Sequence, residues 1–393
     1  MSRLLIIGAS VLQLPAIKKA KELGHYVAVA DYNPQAIGIP YADEYYNAST
    51  IDIAAIIDVA RRFRPDGIMT LATDMPMRSV AAATTALGLS GITMETAVKA
   101  TDKGEMIRTF KEHGVESPWY YVVENNIQLQ RILDRLTYPC VIKPTDNAGS
   151  RGVMLVENPV QLESAYNYSL RQSRGGAVII EEYMQGHEVS VEVIVSDNNI
   201  NILAVTDKIT TGSPYFVEMG HTQQSTLPDE AICKIRDLAI RAVRAVGIDN
   251  GPAHVEIMLT ATGPKMIELG ARMGGDCITT HLVPLSTGID MMKATIDISL
   301  GLRPDITPKY DMGSAIRYIH AEPGRVESIN GVEQAQRIPG IKEVVLQFGP
   351  GDIIPEIHSS IDRVGFVISQ GRSAEDAAEI CNHALKQIEI KRC

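Results

Sequence analysis

Two glutamates in one short stretch have the type and spacing to bind a metal ion. The stretch Ala253–Asp276 reads AHVEIMLTATGPKMIELGARMGGD, in which two apolar runs flank the turn-like segment Thr260–Pro264 and predict a β-hairpin. If the hairpin is symmetric about Thr262, Glu256 and Glu268 face each other with Cβ atoms about 4.5–5.5 Å apart. Like charges so placed are destabilising, so we expect a cation between the two carboxylates.

Magnesium is the cation that this arrangement favours, because it is a hard ion that takes carboxylate oxygens. Arg272 and the pair Gly274–Gly275 follow the second strand and supply a fixed cation and a flexible backbone, as an anionic ligand requires. The alternative is a half-exposed strand face on which both glutamates simply meet water.

A second stretch has the features of a phosphate site. Lys143 ends an apolar strand, Pro144 prevents regular continuation, and Asp146–Gly152 is a loop of small residues whose N–H groups could fold over phosphates. It is not a Walker A loop, because no Gly-Lys-Ser/Thr opens a helix after it.

Two further segments extend this interpretation. Lys103 lies in the first turn of a predicted helix, which is unfavourable for the helix dipole unless an anion binds there. Glu181–Met184 leaves the predicted strand Ala177–Glu181 and could offer backbone donors and acceptors to a flat adenine edge.

The elements around these residues are predicted from periodicity. Strands and helices alternate over residues 3–100, which predicts a parallel doubly wound sheet. Gly8 and Asp31 suggest dinucleotide binding, but the G-x-G-x-x-G fingerprint is absent. Asp74 follows a strand and either faces the crevice of this sheet or caps a helix.

Later segments give weaker signals. Residues 189–207 predict a hairpin, and Lys208–Thr226 is interpreted as a long functional loop. Glu218 and His221 in this loop are interpreted as solvated residues, with a catalytic role as the alternative. After the linker Arg303–Pro308, the remainder predicts a small α/β domain.

Composition excludes several classes of protein. The chain has 393 residues, 45% apolar and 21% charged, with net charge −10 and no basic run, so we expect no nucleic-acid partner. No apolar run approaches the length of a membrane span, so we expect no membrane partner. Five scattered cysteines indicate reduced thiols in a cytoplasmic protein.

The ordered set of motifs resembles the ATP-grasp carboxylate–amine ligases, and within them the amino-acid ligases and the carbamoyl-phosphate-synthetase-like and purine-pathway ligases. The residues that carry the resemblance are Lys103, Lys143 with its glycine-rich loop, Glu181, Glu182, Tyr183, Met184, Glu188, Glu256, Glu268 and Arg272. The resemblance implies an α/β ATP-grasp fold with an N-terminal Rossmann-like parallel-sheet domain and a small C-terminal α/β domain. The implied domains are the Rossmann-like domain at 1–100, the ATP-grasp domain at 101–303 with a lid at about 120–185, and the C-terminal domain at 309–393.

The resemblance also implies roles for single residues. Lys103 and Lys143 bind the ATP phosphates, and Ser150, Arg151 and Gly152 belong to the loop that closes over them. Glu181 and the Glu182–Met184 backbone read adenine, and Glu188 takes the ribose hydroxyls. Glu256 and Glu268 bind Mg²⁺, or Mn²⁺ in its place. Arg272 contacts the γ-phosphate or the substrate carboxylate, and with Lys143 it is a catalytic candidate.

The implied reaction activates a carboxylate as an acyl phosphate and joins it to an amine. The implied substrates are small molecules, with an amino acid among the candidates. The resemblance also allows a homodimer. One departure concerns the metal: the usual Glu-x-Asn is Glu268-Leu269-Gly270, which lacks one oxygen ligand. Two other functions stay open. One is a nicotinamide-dependent oxidoreductase that uses Gly8 and Asp31, and the other is a regulatory protein that binds ATP without turnover.

Overall fold

The N-terminal residues build a parallel sheet between two layers of helices. The computed structural model describes residues 1–147, 149, 151–213 and 215–393. The strand order is β3-β2-β1-β4, and all pairs are parallel. The elements are β1 Arg3–Ile7, α1 Leu14–Glu22, β2 Tyr26–Asp31, β3 Glu44–Asn47, α2 Ile53–Phe63, β4 Gly67–Met69, α3 Met77–Leu87 and α4 Met94–Thr101.

A small antiparallel sheet with order β5-β8-β6-β7 follows. It corresponds in position to the predicted lid. Its helix α7 packs on one face, where Tyr166 and Leu162 join Ile142 and Ile180 in one core. The elements of this part are α5 Lys103–Glu112, β5 Tyr120–Val123, α6 Asn126–Ile132, β6 Cys140–Pro144, β7 Met154–Val156, α7 Pro159–Gln172 and β8 Val178–Glu182.

The largest sheet has eight strands in the order β13-β12-β9-β10-β11-β14-β18-β16. A short sheet, β17-β15-β19, lies beside it. The elements are β9 Gly186–Ser196, β10 Asn199–Thr210, β11 Glu218–Gln223, α8 Asp229–Val246, β12 Gly251–Thr260, β13 Gly263–Gly270, α9 Val283–Thr287, α10 Met291–Ser299, β14 Gly313–Tyr318, β15 Gly324–Asn330, α11 Val332–Gln336, β16 Ile341–Leu346, β17 Ile353–Ile354, β18 Gly365–Gly371, α12 Ala374–Leu385 and β19 Glu389–Arg392.

The alternation of side chains across this sheet separates its core from its polar face. Val191 and Val255 point to one face, where they pack with Leu238 and Val243 of α8 in the main core. Because successive side chains on a strand point to opposite faces, the residue next to each of these valines on its strand faces the other way. These residues include Glu192 and Glu256, and the polar face they form carries the candidate site.

The predicted parallel N-terminal sheet and the hairpin at 253–276 are confirmed. The C-terminal strands β14, β18 and β16 extend the central sheet, because β14 pairs with β11. The domain limits stay predictions. Among the described residues, no helix combines the length and apolar character needed to span a membrane. All five cysteines are free thiols.

The prediction that Lys208–Thr226 is an open loop is wrong. Residues 218–223 form β11, which pairs with β10 on one side and β14 on the other. His221 is therefore buried rather than solvated. The segment lacks apolar periodicity because its inward side chains, such as Gln223, are polar and bond to other buried polar groups.

The close approach of β14 and α12 gives a test of this junction. A Cβ on Gly313 would overlap the carbonyl oxygen of Ser373, a backbone atom that cannot move aside cheaply. We expect Gly313→Ala to lower the free energy of unfolding by roughly 1–3 kcal/mol. Thermal or denaturant unfolding measures the change. Gly349→Ala is the matched control, because its Cβ would meet nothing closer than 3.8 Å. Equal stability of the two variants would contradict the packing described.

Candidate active site

The two hairpin glutamates do stand opposite each other, as predicted. Glu256 on β12 pairs in register with Glu268 on β13, next to a bulge. Each carboxylate has its own ammonium partner: Lys103 Nζ lies 2.7 Å from Glu268, and Lys208 Nζ lies 3.3 Å from Glu256. Two lysines thus neutralise the like charges that the sequence placed together.

Lys103 reaches the site from the start of α5. Asp102 caps this helix by accepting hydrogen bonds from the N–H groups of Gly104 and Glu105. The Lys103 ammonium donates to the carbonyl oxygen of Asn147 at 3.1 Å and so touches the predicted phosphate loop. Burial disfavours the charged form of Lys103, but the charge and hydrogen bond of Glu268, together with the charges of Asp74 and Glu256, outweigh burial and raise the pKa of the lysine.

Lys143 is held by Glu181. The Lys143 Nζ and Glu181 Oε1 atoms are 2.5 Å apart, and both side chains are buried on the adjacent strands β6 and β8. The pair fixes the ammonium at the strand end, where the sequence predicted a phosphate ligand. The Glu181 carboxylate is paired with this ammonium, and its contact with adenine stays a prediction.

The loop after Lys143 is described in part. Gly152 has a φ of +82°, and a Cβ there would crowd Pro144 and Gln172, so the turn requires glycine. Arg151 is exposed beside it. Ser150 lies outside the described residues.

The connection from β8 to β9 carries the predicted adenine site. Glu182 is ion-paired with Lys265 at 2.8 Å, which joins the lid to the hairpin. Tyr183 packs its ring 6.2 Å from that of Phe216. Within the described part of the chain, the backbone groups of Tyr183 and Met184 make no hydrogen bond to other backbone groups, so they remain available to a ligand.

Lys208 is the functional residue that sequence reasoning missed most clearly. Its buried ammonium lies 2.7 Å from Glu188, 3.2 Å from Glu218 and 3.3 Å from Glu256. Burial opposes its charge, but the three carboxylates outweigh burial and raise the pKa of Lys208 well above its ordinary value. Glu218, predicted to be solvated, belongs to this cluster.

A histidine, His254, lies between two carboxylates of this polar face. His254 Nδ1 lies 2.8 Å from Glu192, and Nε2 lies 3.1 Å from Glu256. Burial lowers the pKa of His254, but the charge of Glu192 and its hydrogen bond raise it to about 9. Gly274 passes so close that a Cβ would lie 2.6 Å from the His254 ring. Close packing, rather than the predicted flexibility, therefore explains this glycine.

Arg272 is fixed by the N-terminal part of the chain. Its Nε and Nη2 atoms each lie 3.0 Å from an oxygen of Asp74, in a bidentate pair. A Cβ on Gly270 would lie 2.7 Å from Asp74 and 3.0 Å from Arg272 Nε. The side chain that the sequence lacks at position 270 is therefore replaced in space by the Asp74–Arg272 pair.

A second buried arginine pair closes the site at the C-terminal side. Arg363 donates to both oxygens of Asp276 at 2.7 and 2.8 Å and stacks 3.7 Å from the ring centroid of Tyr318. His221 Nε2 lies 3.4 Å from the same carboxylate. Burial raises the pKa of Asp276, but the hydrogen bonds from Arg363 and His221 lower it far below its usual range.

Some of these residues had a detectable signal in the sequence. Thr206 and Lys208 continue the two-residue alternation of β10, so Lys208 could have been placed on the polar face with Glu188. His254 also had a signal, since it lies two residues before Glu256 on the same face of β12. The partners of Asp74 and Arg363 had none, because they come from distant parts of the chain.

The donor set suits Mg²⁺ or Mn²⁺, since both glutamates offer oxygen atoms. Among the described side chains, no group of three or more His, Cys, Asp or Glu residues forms a ready metal site. Lys103, Lys208 and His254 each contact one oxygen of the two carboxylates.

Comparison with known families agrees with this geometry. Residues 136–280 match the ATP-grasp domain family, and residues 317–391 match L-amino acid ligase C-terminal domain 2. The chain therefore contains an ATP-grasp domain. The predicted resemblance and fold class are confirmed.

Individual relatives of this chain are ligases and a formyltransferase. Alanine–anticapsin ligase of Bacillus subtilis strain 168 is 28% identical over 315 residues, which cover 74% of this chain and 66% of that protein. Formate-dependent phosphoribosylglycinamide formyltransferase of Ignicoccus hospitalis is 25% identical over 408 residues, covering 99% and 96%. The chain spans just under two thirds of the length of the first curated relatives it matches.

Solved structures share the ATP-grasp architecture over the whole chain. The L-amino acid ligase from Bacillus licheniformis superposes with a TM-score of 0.86 at 24% identity, and the match covers 100% of this chain and 99% of that one. This likeness establishes the common fold.

The crowding at Gly270 predicts the effect of adding one methyl group. Gly270→Ala should displace Asp74 from Arg272, because its Cβ would lie within 3.0 Å of both side chains. We expect faster amide hydrogen exchange in residues 72–77, measured by mass spectrometry. Gly275→Ala is the control, since its Cβ would meet nothing closer than 3.8 Å. Unchanged exchange in Gly270→Ala would refute the proposed packing.

The Asp276–Arg363 pair predicts a dependence of stability on pH. Asp276→Asn should lower the free energy of unfolding by about 3–5 kcal/mol, because Arg363 loses its buried partner. The folded pKa of Asp276 is lowered, so its stabilising contribution is complete above the unfolded value of 3.8 and declines as pH falls through the folded value. The difference from the unsubstituted protein should therefore be constant above about pH 5 and shrink below about pH 4.

Denaturant unfolding across this pH range measures that difference. Asp237→Asn is the control, since Asp237 is 67% exposed in an ion pair on the surface of α8. A deficit in Asp276→Asn that does not shrink in acid would argue against the described pair.

Proposed function

We propose that the protein is an ATP-dependent ligase that activates a carboxylate as an acyl phosphate and joins it to an amine, releasing ADP and phosphate. The observation that carries the proposal is that the ammonium groups of Lys103 and Lys208 contact the opposed carboxylates of Glu268 and Glu256. Lys143, paired with Glu181, supplies a third ammonium group at the end of β6. Phosphoryl transfer requires mainly positioning and charge neutralisation, and this set supplies both.

The binding of ATP follows from the contacts of these groups. Lys103 already bridges the hairpin and the phosphate loop, and Lys143 is held rigidly at the end of β6. In this proposal both ammonium groups would contact the ATP phosphates. The backbone of Tyr183 and Met184 lies at the adenine end, and the assignments of Glu181 to adenine and Glu188 to ribose stay predictions.

Glu256 and Glu268 are the residues that would hold Mg²⁺, which neutralises phosphate oxygens when bound. Lys208, released from Glu256, would then contact the transferred phosphoryl group. Arg272, held by Asp74, would orient the substrate carboxylate or the γ-phosphate.

The chemistry then needs no protein nucleophile. A carboxylate oxygen attacks the γ-phosphorus, and the bond to ADP breaks. The amine nitrogen attacks the acyl carbon, phosphate leaves, and the amine loses a proton. The lid would exclude water, which would otherwise hydrolyse the acyl phosphate.

The oxidoreductase alternative is disfavoured by the contacts of Asp31. Its Oδ2 atom accepts a hydrogen bond from the Ala9 N–H at 2.8 Å, and its Oδ1 atom accepts one from Asn33. Gln13 fills the turn beside Gly8 and donates to the carbonyl of Leu71. The Gln13 side chain therefore fills the space beside Gly8, and Ser10, Asp31 and Tyr32 line a separate cavity of about 290 Å³. A cytoplasmic location and a homodimer stay predictions.

Turnover with defined substrates tests the proposal. Pairs of amino acids are screened with Mg²⁺-ATP for ADP release, and the products are identified by mass spectrometry. In any active mixture, Lys143→Met and Glu268→Gln should each lower kcat by about 10²–10³-fold, by loss of electrostatic stabilisation. Lys234→Ala, on the exposed face of α8, is the control.

Thermal unfolding of each variant confirms that it is folded. Full turnover by folded Glu268→Gln would contradict the metal assignment. ATP binding without ADP release from any pair of acids and amines would favour the regulatory alternative.

A further inference from the structure

A cavity of about 410 Å³ lies where the N-terminal sheet, α5 and the lid meet. Lys103 and Glu268 line one wall, which places the cavity next to the proposed phosphate and metal site. Asp74, Arg78 and Arg174 also line it. Its volume is in the range that small ligands occupy.

Some charged side chains that line the cavity have ion-pair partners among the described residues, and others do not. Lys103 is paired with Glu268, and Asp74 is paired with Arg272. Asp146 accepts hydrogen bonds from the N–H groups of Arg174 and Gly175 and from the Ser173 hydroxyl. The two arginine guanidinium groups, in contrast, form no ion pair with any described carboxylate.

Arg78 is the better fixed of the two. It lies in the first turn of α3, and its Nε donates to the Thr101 hydroxyl at 2.8 Å. This single bond orients the guanidinium, and its two terminal nitrogens bond to none of the described residues. Arg174 contacts Met75 with one terminal nitrogen, so the lid covers the cavity here. A planar guanidinium with two unused donors matches the geometry of a carboxylate.

Apolar side chains complete the lining. Ile51 and Ile53 are 51% and 37% exposed at its rim, and Met75 and Leu269 lie further in. A ligand that covered these isoleucines would remove apolar surface from water. The cavity therefore combines a positive end, an apolar wall and carboxylates beside the proposed reaction centre.

We propose that this cavity binds the amine acceptor and that the acceptor is an apolar amino acid, with Arg78 holding its carboxylate and its amino group directed to Asp74 and Glu268. The assignment rests on the proposed function, since it supplies the second substrate of that same site. Arg78 is then a specificity-determining residue, because it separates free amino acids from amines that lack the anionic group.

Acceptors that differ only in this group test the proposal. The probes are L-alanine, L-leucine, L-methionine and L-phenylalanine with their four carboxamides, and 2-aminoethyl phosphate as a phosphate-bearing amine. Binding is measured by calorimetry with Mg²⁺-ADP present, where no ligation occurs. KM for the acceptor is measured separately, at a fixed donor.

In the unsubstituted protein, at least one amino acid should bind about 10- to 100-fold more tightly than its carboxamide, the range expected for a charge-assisted hydrogen bond. Arg78→Gln should abolish this preference, and Arg78→Lys should restore part of it. Arg108→Gln, which removes an exposed arginine of α5, is the matched control and should change nothing. Thermal unfolding checks that all three variants are folded.

Equal binding of amino acids and carboxamides would overturn the assignment, as would an unchanged preference in folded Arg78→Gln. Tighter binding of 2-aminoethyl phosphate would also overturn it and assign the cavity to a phosphate. Ligation that does not depend on Arg78 would refute the cavity assignment alone. Binding that depends on Arg78, with no ADP release from any mixture, would refute the proposed function alone.

Discussion

Two carboxylates face each other on neighbouring strands, and the rest of the site is arranged to neutralise them. Glu256 and Glu268 are opposed because the pleat and the turn at 261–262 fix their register. Their repulsion is offset by Lys208 and Lys103, which come from β10 and from the start of α5. The charges of one hairpin thus specify how two other elements must pack against it.

The same constraint explains why the polar face consists of ion pairs rather than isolated groups. Glu192, His254, Glu256 and Lys208 form a connected row across three strands, with Glu188 and Glu218 at its edge. A buried charge without a partner would cost several kcal/mol. An arriving nucleotide and metal ion therefore meet a site in which every cation already has an anion. In the proposed function, binding is an exchange of ionic partners: phosphates take the lysines, and the metal takes the glutamates.

Contacts between distant parts of the chain fix the two site arginines. Arg272 is held by Asp74 from the N-terminal sheet, and Arg363 holds Asp276 from the C-terminal strands. Gly270 is small because the first pair occupies the space of a side chain. In the sequence, Gly270 is a position that lacks a metal ligand. In the structure, the same glycine leaves room for a contact between the N-terminal part of the chain and the hairpin. The hairpin that carries the predicted metal ligands is therefore linked to the N-terminal part of the chain through one residue position.

The sequence alone determined what depends on local periodicity and turns. The opposed glutamates, the lysine at the end of β6, the helix start at Lys103 and the parallel N-terminal sheet all follow from patterns within a few residues. The tertiary structure alone decided the partners of Asp74 and Arg363 and the conversion of a polar segment into β11. These depend on pairings over tens to hundreds of residues, for which a local pattern carries no signal. Lys208 lies between the two cases: its alternation placed it on the polar face, and only the neighbouring strands surrounded it with three carboxylates.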